Sequence, residues 1–246
     1  MTAPALRVRG LKKRYADPEG GSRLIVDLPR LDVAAGEVVG LVGESGSGKT
    51  TLLHLVSGIL PADEGTIEVA GEPMTGRGEA ERDRLRARHL GYIFQTFNLL
   101  PALTALENVE LGMSFRPGVA HARAAAKAAL ERVGLGDRLR HRPDQLSVGQ
   151  QQRVAIARAL AGRPALVLAD EPTANLDRRH AAGCLDLLLA FVQETGSALL
   201  LVTHDPAVEA RLPRVERIDA PTERSPTDAS PTDASPTGVA PFGVAP

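Results

Sequence analysis

Short apolar runs alternate with amphipathic stretches along most of the chain. Glu37–Val42 (EVVGLV) is a β-branched run that stops at a glycine-rich loop, and it predicts a strand. Thr51–Ile59 predicts a helix directly after it. Gly65–Val69 and Gly91–Phe94 read as strands, and the densely charged Glu79–His89 reads as a surface helix. The alanine-rich stretch Ala120–Val133 favours a helix. Val148–Ala161 has helical periodicity, and the strand Ala165–Ala169 follows it. A helix over His180–Glu194 leads to Ala198–Val202, a strand apolar on both faces. Strands and helices in alternation imply an α/β fold, a parallel sheet covered by helices. Ala5–Gly10, Leu24–Asp27 and Leu31–Val33 have no helix between them and predict an added antiparallel β-piece.

The pattern stops near Asp219, so residues 1–219 form the expected domain. Residues 220–246 carry two SPTDA copies, a broken third and two GVAP copies. So many prolines and so little apolar surface predict a disordered tail. With 29 basic and 30 acidic residues the net charge is −1, which argues against a nucleic-acid binder. A lone cysteine, Cys184, excludes an internal disulfide and fits a reducing compartment. No apolar run reaches the ~18 residues of a membrane helix, and the first ten residues lack a signal core. A cytoplasmic location is therefore expected.

Of the 29 basic residues 25 are Arg, so the four lysines, Lys12, Lys13, Lys49 and Lys127, need a reason. Lys49 has one. Gly43-Glu44-Ser45-Gly46-Ser47-Gly48-Lys49-Thr50 matches G-x-x-x-x-G-K-[ST] between a strand and a helix. Such a loop turns backbone N–H groups onto phosphate oxygens at a helix start. Lys49 then reaches the β- and γ-phosphates and the Thr50 hydroxyl holds Mg²⁺. Asp170 and Glu171 end the apolar strand Leu166–Ala169, where ligands of open α/β sheets gather. Asp170 suits the metal, and Glu171 suits a base that deprotonates an attacking water.

Leu146-Ser147-Val148-Gly149-Gln150 resembles the LSGGQ signature of ABC transporter ATPases, and Gln151–Leu160 resembles the helix that follows it. The resemblance covers roughly residues 5–218. It implies a P-loop NTPase core with a helical subdomain of about residues 96–161. It further implies that Tyr15 stacks on adenine, that Gln95 is the Q-loop glutamine and a metal contact, that Asn175-Leu176-Asp177 is the D-loop, and that His204 is the switch histidine. ATP and Mg²⁺ are the implied ligands, contacted also by Thr51. In the family, Ser147, Gly149, Gln150 and Asp177 complete the site of a second subunit, so two ATPs lie sandwiched head to tail. The implied partners are a second ATPase subunit and separate transmembrane permease subunits, with the chain peripheral on the inner face of the membrane. Gln95–Pro101, which links the γ-phosphate sensor to the subdomain, is the expected docking region for the permease.

Phe94–Pro101 and Leu103–Val109 resemble the MacB/LolD branch, which supplies ATPases for macrolide export and lipoprotein release. An ATPase that regulates a membrane partner without transport, as in the related FtsE proteins, is an alternative. So is a non-transport ABC ATPase, although the single Walker A and the lack of heptads disfavour it. A small-molecule kinase is opposed by LSVGQ and His204. Two departures stand out. Val148 replaces the first signature glycine; a β-branched residue disfavours positive φ, so a helical or extended backbone is expected there. Ile218-Asp219-Ala220-Pro221 runs straight into the tail, so a shortened last hairpin is expected. His54, His89, His121, His141 and His180 read as structural or solvated.

Overall fold

A computed structural model describes residues 3–17, 21–116 and 121–221. The expected tail lies outside the described residues from position 222 onward. Strands β1 (Leu6–Ala16), β2 (Ser22–Val33), β4 (Glu64–Val69) and β5 (Glu72–Pro73) form an antiparallel sheet in the order β2-β1-β4-β5. A second, parallel sheet has the order β6-β7-β8-β3-β9, from β3 (Val38–Val42), β6 (Leu90–Ile93), β7 (Leu166–Asp170), β8 (Ala198–Thr203) and β9 (Val215–Arg217). The helices are α1 (Lys49–Val56), α2 (Glu79–His89), α3 (Ala105–Ser114), α4 (Ala122–Arg132), α5 (Val148–Leu160), α6 (Arg178–Thr195) and α7 (Pro206–Glu209). The α/β class and the antiparallel β-piece are both present.

The all-apolar β8 shows why the parallel strands carry no polar alternation. Leu199 and Leu201 pack with α3, α4, α5 and α6, while Ala198, Leu200 and Val202 pack with α1 and the antiparallel sheet. Each fully buried leucine contributes roughly 1.5–3 kcal/mol. Both faces of the strand are thus covered, as a parallel sheet demands.

Two expectations need correction. Gly65–Val69 falls among the alternating β/α segments in sequence, yet β4 pairs with β1 in the antiparallel sheet. The first strand continues six residues past Gly10, because Gly10 sits at φ 55 inside an irregularity of the β1–β4 pairing instead of ending the strand. The last described strand, β9, pairs parallel to β3, and no strand follows it as far as residue 221; the rest of the expected short hairpin lies outside the described residues. The Ile218 N–H then donates to the Val42 carbonyl at 2.8 Å, which brings the end of the body onto the loop after β3.

Candidate nucleotide site

Sheet order alone brings the candidate residues together. Strands β6, β7, β8 and β3 are adjacent and parallel, so their C-terminal ends share one edge. Gln95, Asp170, Glu171, His204 and the loop before Lys49 follow those ends. They line an open cleft of about 390 Å³ with Ile25, Ser45, Gly46, Gly48, Thr50, Thr51 and Val202.

The loop after β3 is tightly specified. A Cβ on Gly43 would lie 2.2 Å from the Ile218 carbonyl oxygen. Gly48 combines φ 89 with the Ile25 carbonyl 2.5 Å from a would-be Cβ, so both conformation and space demand glycine. Lys49 is buried, and its Nζ donates to the carbonyls of Gly43 (2.8 Å) and Glu44 (2.6 Å) and to Ser47 Oγ (3.3 Å). The ammonium thus braces the loop from inside. Helix α1 starts at Gly48 without a side-chain cap, which leaves its first turn available to an anion.

On the opposite wall the Thr50 hydroxyl donates to Asp170 Oδ1 at 3.2 Å. Asp170 is buried, and burial pushes its carboxyl above the usual range against the lesser pull of Thr50, His54 and Lys49. A hydroxyl beside a desolvated carboxylate is a hard-oxygen donor set that suits Mg²⁺. Among the described residues no group of three or more His, Cys, Asp or Glu could hold a metal by itself. A cation here would take its remaining ligands from water and phosphate. Tyr92, on β6, is also raised by burial and by the Asp170 charge.

Glu171 has a left-handed backbone, φ 46, an uncommon conformation outside glycine that costs about 1–3 kcal/mol. Its N–H bonds the Val202 carbonyl at 3.0 Å, and its Oε1 lies 2.5 Å from His204 Nδ1. The strain is spent on turning the carboxylate into the cleft beside His204. Phe97 and Asn98, just after Gln95, are also left-handed, at φ 49 and φ 47.

The remaining candidates lie elsewhere. Ser147 caps α5: its Oγ accepts from Gln150 N–H at 3.3 Å, and its own N–H donates to Gln150 Oε1 at 2.9 Å. Val148 is the first residue of α5 and lies outside the positive-φ set, so the expected helical backbone is present. A Cβ on Gly149 would meet only His180 Cδ2, at 3.9 Å, so packing within the chain does not demand glycine there. Asp177 accepts from the His180 backbone N–H at 3.0 Å and contacts its ring Nδ1 at 2.7 Å. His180, read from sequence as structural or solvated, thus holds the Asp177 carboxylate. Tyr15 is exposed on β1 with the Lys13 ammonium 5.8 Å from its ring, outside the cleft lining.

Sequence reasoning missed three residues. Gln152 and Arg158 reach from α5 to loops at the cleft. Asn108, buried in α3, braces residues 100–104: its Oδ1 accepts from Leu100 N–H, and its Nδ2 contacts the carbonyls of Leu100, Leu103 and Thr104. A glutamine inside a run of three and an arginine in an arginine-rich chain give no local signal.

The fold and this cleft define a P-loop ATPase cassette. The ABC transporter family description matches residues 27–174, and the chain belongs to that family as an ATP-hydrolysing subunit. It is 46% identical over 214 residues to YbbA of Escherichia coli K12, described as an uncharacterized ABC transporter ATP-binding protein; the match covers 87% of this chain and 93% of that one. It is also 46% identical to the lipoprotein-releasing system ATP-binding protein LolD of Bordetella pertussis, over 87% and 92% of the two chains. Among solved structures, the ATP-binding cassette MJ0796, a dimer in a post-hydrolysis state bound to ADP and Pi, superposes with a TM-score of 0.79. Its identity is 34%, over 87% of this chain and 94% of that one. Subunits of this family dimerise and work with membrane permease partners. Among the described residues no helix is long and apolar enough to cross a membrane.

Proposed function

We propose that the chain hydrolyses ATP in a head-to-tail dimer that drives a separate permease, in lipoprotein release or a related export. The observation that carries the chemistry is the Glu171–His204 pair, set opposite the loop braced by Lys49. The lipoprotein-release reading draws support from the LolD relatives.

Lys49 and the N–H groups at the start of α1 bind the β- and γ-phosphates. Thr50 and Asp170, with Gln95 at the cleft edge, hold Mg²⁺, which supplies charge neutralisation on the phosphates. Glu171 takes a proton from water as the water oxygen bonds to the γ-phosphorus. The bond from that phosphorus to the bridging oxygen breaks, and ADP leaves. His204 keeps the Glu171 carboxylate aimed and reaches the γ-phosphate edge. Tyr15 stacks on adenine from β1. Ser147, Gly149, Gln150 and Asp177 face the γ-phosphate bound by the partner copy. The chain sits on the inner face of the membrane through its permease, which docks on Gln95–Pro101.

The test is Glu171→Gln. Glutamine keeps the shape but cannot take the proton, so kcat falls on the order of 10²- to 10⁴-fold while ATP still binds. The closed dimer then accumulates in ATP and Mg²⁺, as read by size exclusion with light scattering. Turnover at the wild-type rate would remove Glu171 from the mechanism, and a monomer in saturating ATP would refute the sandwich.

A further inference from the structure

Helix α5 grips both loops that carry the proposed catalytic groups. Near its start Gln152 is fully buried, and its Nε2 donates to the Pro172 carbonyl at 2.6 Å. Pro172 follows Glu171 directly. The other side-chain atom, Gln152 Oε1, is buried with no hydrogen-bond partner. Near the end of α5, Arg158 donates to the Phe97 carbonyl at 2.6 Å and to the Asn98 carbonyl. These are the left-handed residues that follow Gln95. Gly112 of α3 makes way for the arginine stem: a Cβ there would lie 2.8 Å from Arg158 Cγ. A third bond joins the two loops, because Asn175 Nδ2 donates to the Gln95 carbonyl at 2.6 Å.

Packing alone does not explain this choice of residues. An apolar side chain would fill the Gln152 site without the orphaned Oε1, leaving only the Pro172 carbonyl without its donor, whereas a buried amide with half its capacity unused is itself costly. What the amide adds is a fixed distance between α5 and the backbone next to Glu171. Arg158 adds the same for the loop after Gln95, and its fork suits two neighbouring carbonyls at once.

We propose that Gln152 and Arg158 are positioning residues that fasten the Glu171 and Gln95 loops to α5, so that movement of α5 reaches both loops of the same chain. What moves α5 rests on the reading above, in which Ser147 at its start meets a phosphate held by the partner copy. Engagement of the signature then sets the geometry of the chain's own catalytic loops.

The experiment is steady-state ATP hydrolysis by the full-length chain carrying Gln152→Leu, Arg158→Met or Arg158→Lys. Gln152→Leu removes the tether and the orphaned Oε1; the Pro172 carbonyl loses its donor, and the two changes offset in part, so folding is kept. The expected result is a kcat at least about tenfold lower, with KM unchanged and the melting temperature lowered by a few degrees at most, because a small misplacement of catalytic groups costs rate and not binding. Arg158→Lys retains a donor and loses less than Arg158→Met; should the methionine variant not fold, the lysine variant decides. Placed in Glu171→Gln, Gln152→Leu still allows the ATP-driven dimer to form. Wild-type kcat in Gln152→Leu and in the folded Arg158 variants would overturn the proposal. So would a loss of kcat matched by loss of nucleotide affinity or by a melting temperature lower by more than a few degrees, or loss of the dimer from Gln152→Leu alone. Failure of Glu171→Gln itself to dimerise would refute the sandwich, while the kcat-against-KM split would still judge the tethers.

Discussion

Helices α1 and α5 both begin at a proposed phosphate contact, and they begin differently. At α1 the N-cap is Gly48, left-handed and without a side-chain cap, and the loop before it is braced by a buried lysine. At α5 the N-cap is Ser147, and a reciprocal Ser147–Gln150 capping box closes the first turn. Gly43 and Gly48 before α1 are forced by neighbouring backbone at 2.2 and 2.5 Å, whereas Gly149 at α5 has no such neighbour. The first site is thus finished by its own chain. The second meets its own needs as a helix end and presents Ser147 and Val148 to solvent. Strict packing around one site and slack around the other is what the proposed head-to-tail dimer requires, with a cradle and a lid supplied by different molecules.

The largest break in this comparison comes at α1. Lys49→Arg and Lys49→Ala should each lower ATP hydrolysis on the order of 10³-fold, measured by phosphate release. The ammonium fits among the two carbonyls and the Ser47 hydroxyl, while a planar guanidinium is too broad for that ring. Near-normal turnover in the arginine variant would show that charge alone suffices and that the cradle is less specified than its packing suggests.

Asp170→Asn sharpens the same side. Burial holds the folded carboxyl above its usual value, so between the unfolded and folded values the native state binds more protons. Stability therefore falls as pH rises through that window, and the cost persists at neutral pH. The asparagine variant should melt a few degrees higher at pH 7, since about 1 kcal/mol moves a domain of this size by roughly 2–4 °C. Its Mg²⁺-dependent turnover should fall on the order of 10²-fold. Unchanged or lower melting would mean that the Thr50 bond and Lys49 fully offset the desolvation.

On the α5 side the effects shrink to those of a cap. Ser147→Ala removes the acceptor for Gln150 N–H and costs about 1 kcal/mol, a melting shift of roughly 2–4 °C. ATP-driven dimerisation, followed in Glu171→Gln, should weaken more than this cap loss explains. Equal losses would reduce Ser147 to a structural role.

The same contrast explains how much could be read from the chain beforehand. The Gly43–Thr50 loop and Asp170-Glu171 are local patterns with a characteristic spacing, and Ser45, Gly46, Gly48, Lys49, Thr50, Asp170 and Glu171 line the cleft. The strands with apolar residues on both faces were legible for the same reason. Long-range closures were not. The Ile218 carbonyl against Gly43 and the Ile25 carbonyl against Gly48 join segments far apart in sequence. Gly10 looked like a strand end because a left-handed glycine in a bulge has the same composition as one in a turn. Gln152 and Arg158 lie in the segment that resembles the signature helix, but nothing local shows what they hold, since their partners are backbone carbonyls that any residue supplies.

Val148→Gly is the smallest and most discriminating change. Val148 is exposed at the first position of α5, so its side chain gains little from packing within the chain. A glycine there loosens the helix start and costs at most about 1 kcal/mol, so melting should fall by a few degrees or less. If the slack at α5 exists to admit a second molecule, removing the isopropyl side chain from that surface widens access to the α5 N–H groups. Dimerisation in ATP should then tighten a few-fold in Glu171→Gln despite the lower melting temperature. The two readouts move in opposite directions only if the exposed start of α5 meets another molecule. Tightening without it has no source in the helix itself, which the glycine only weakens. Parallel loss of melting temperature and dimerisation would instead show that Val148 matters as a helix former, and that the looseness around Gly149 is ordinary surface.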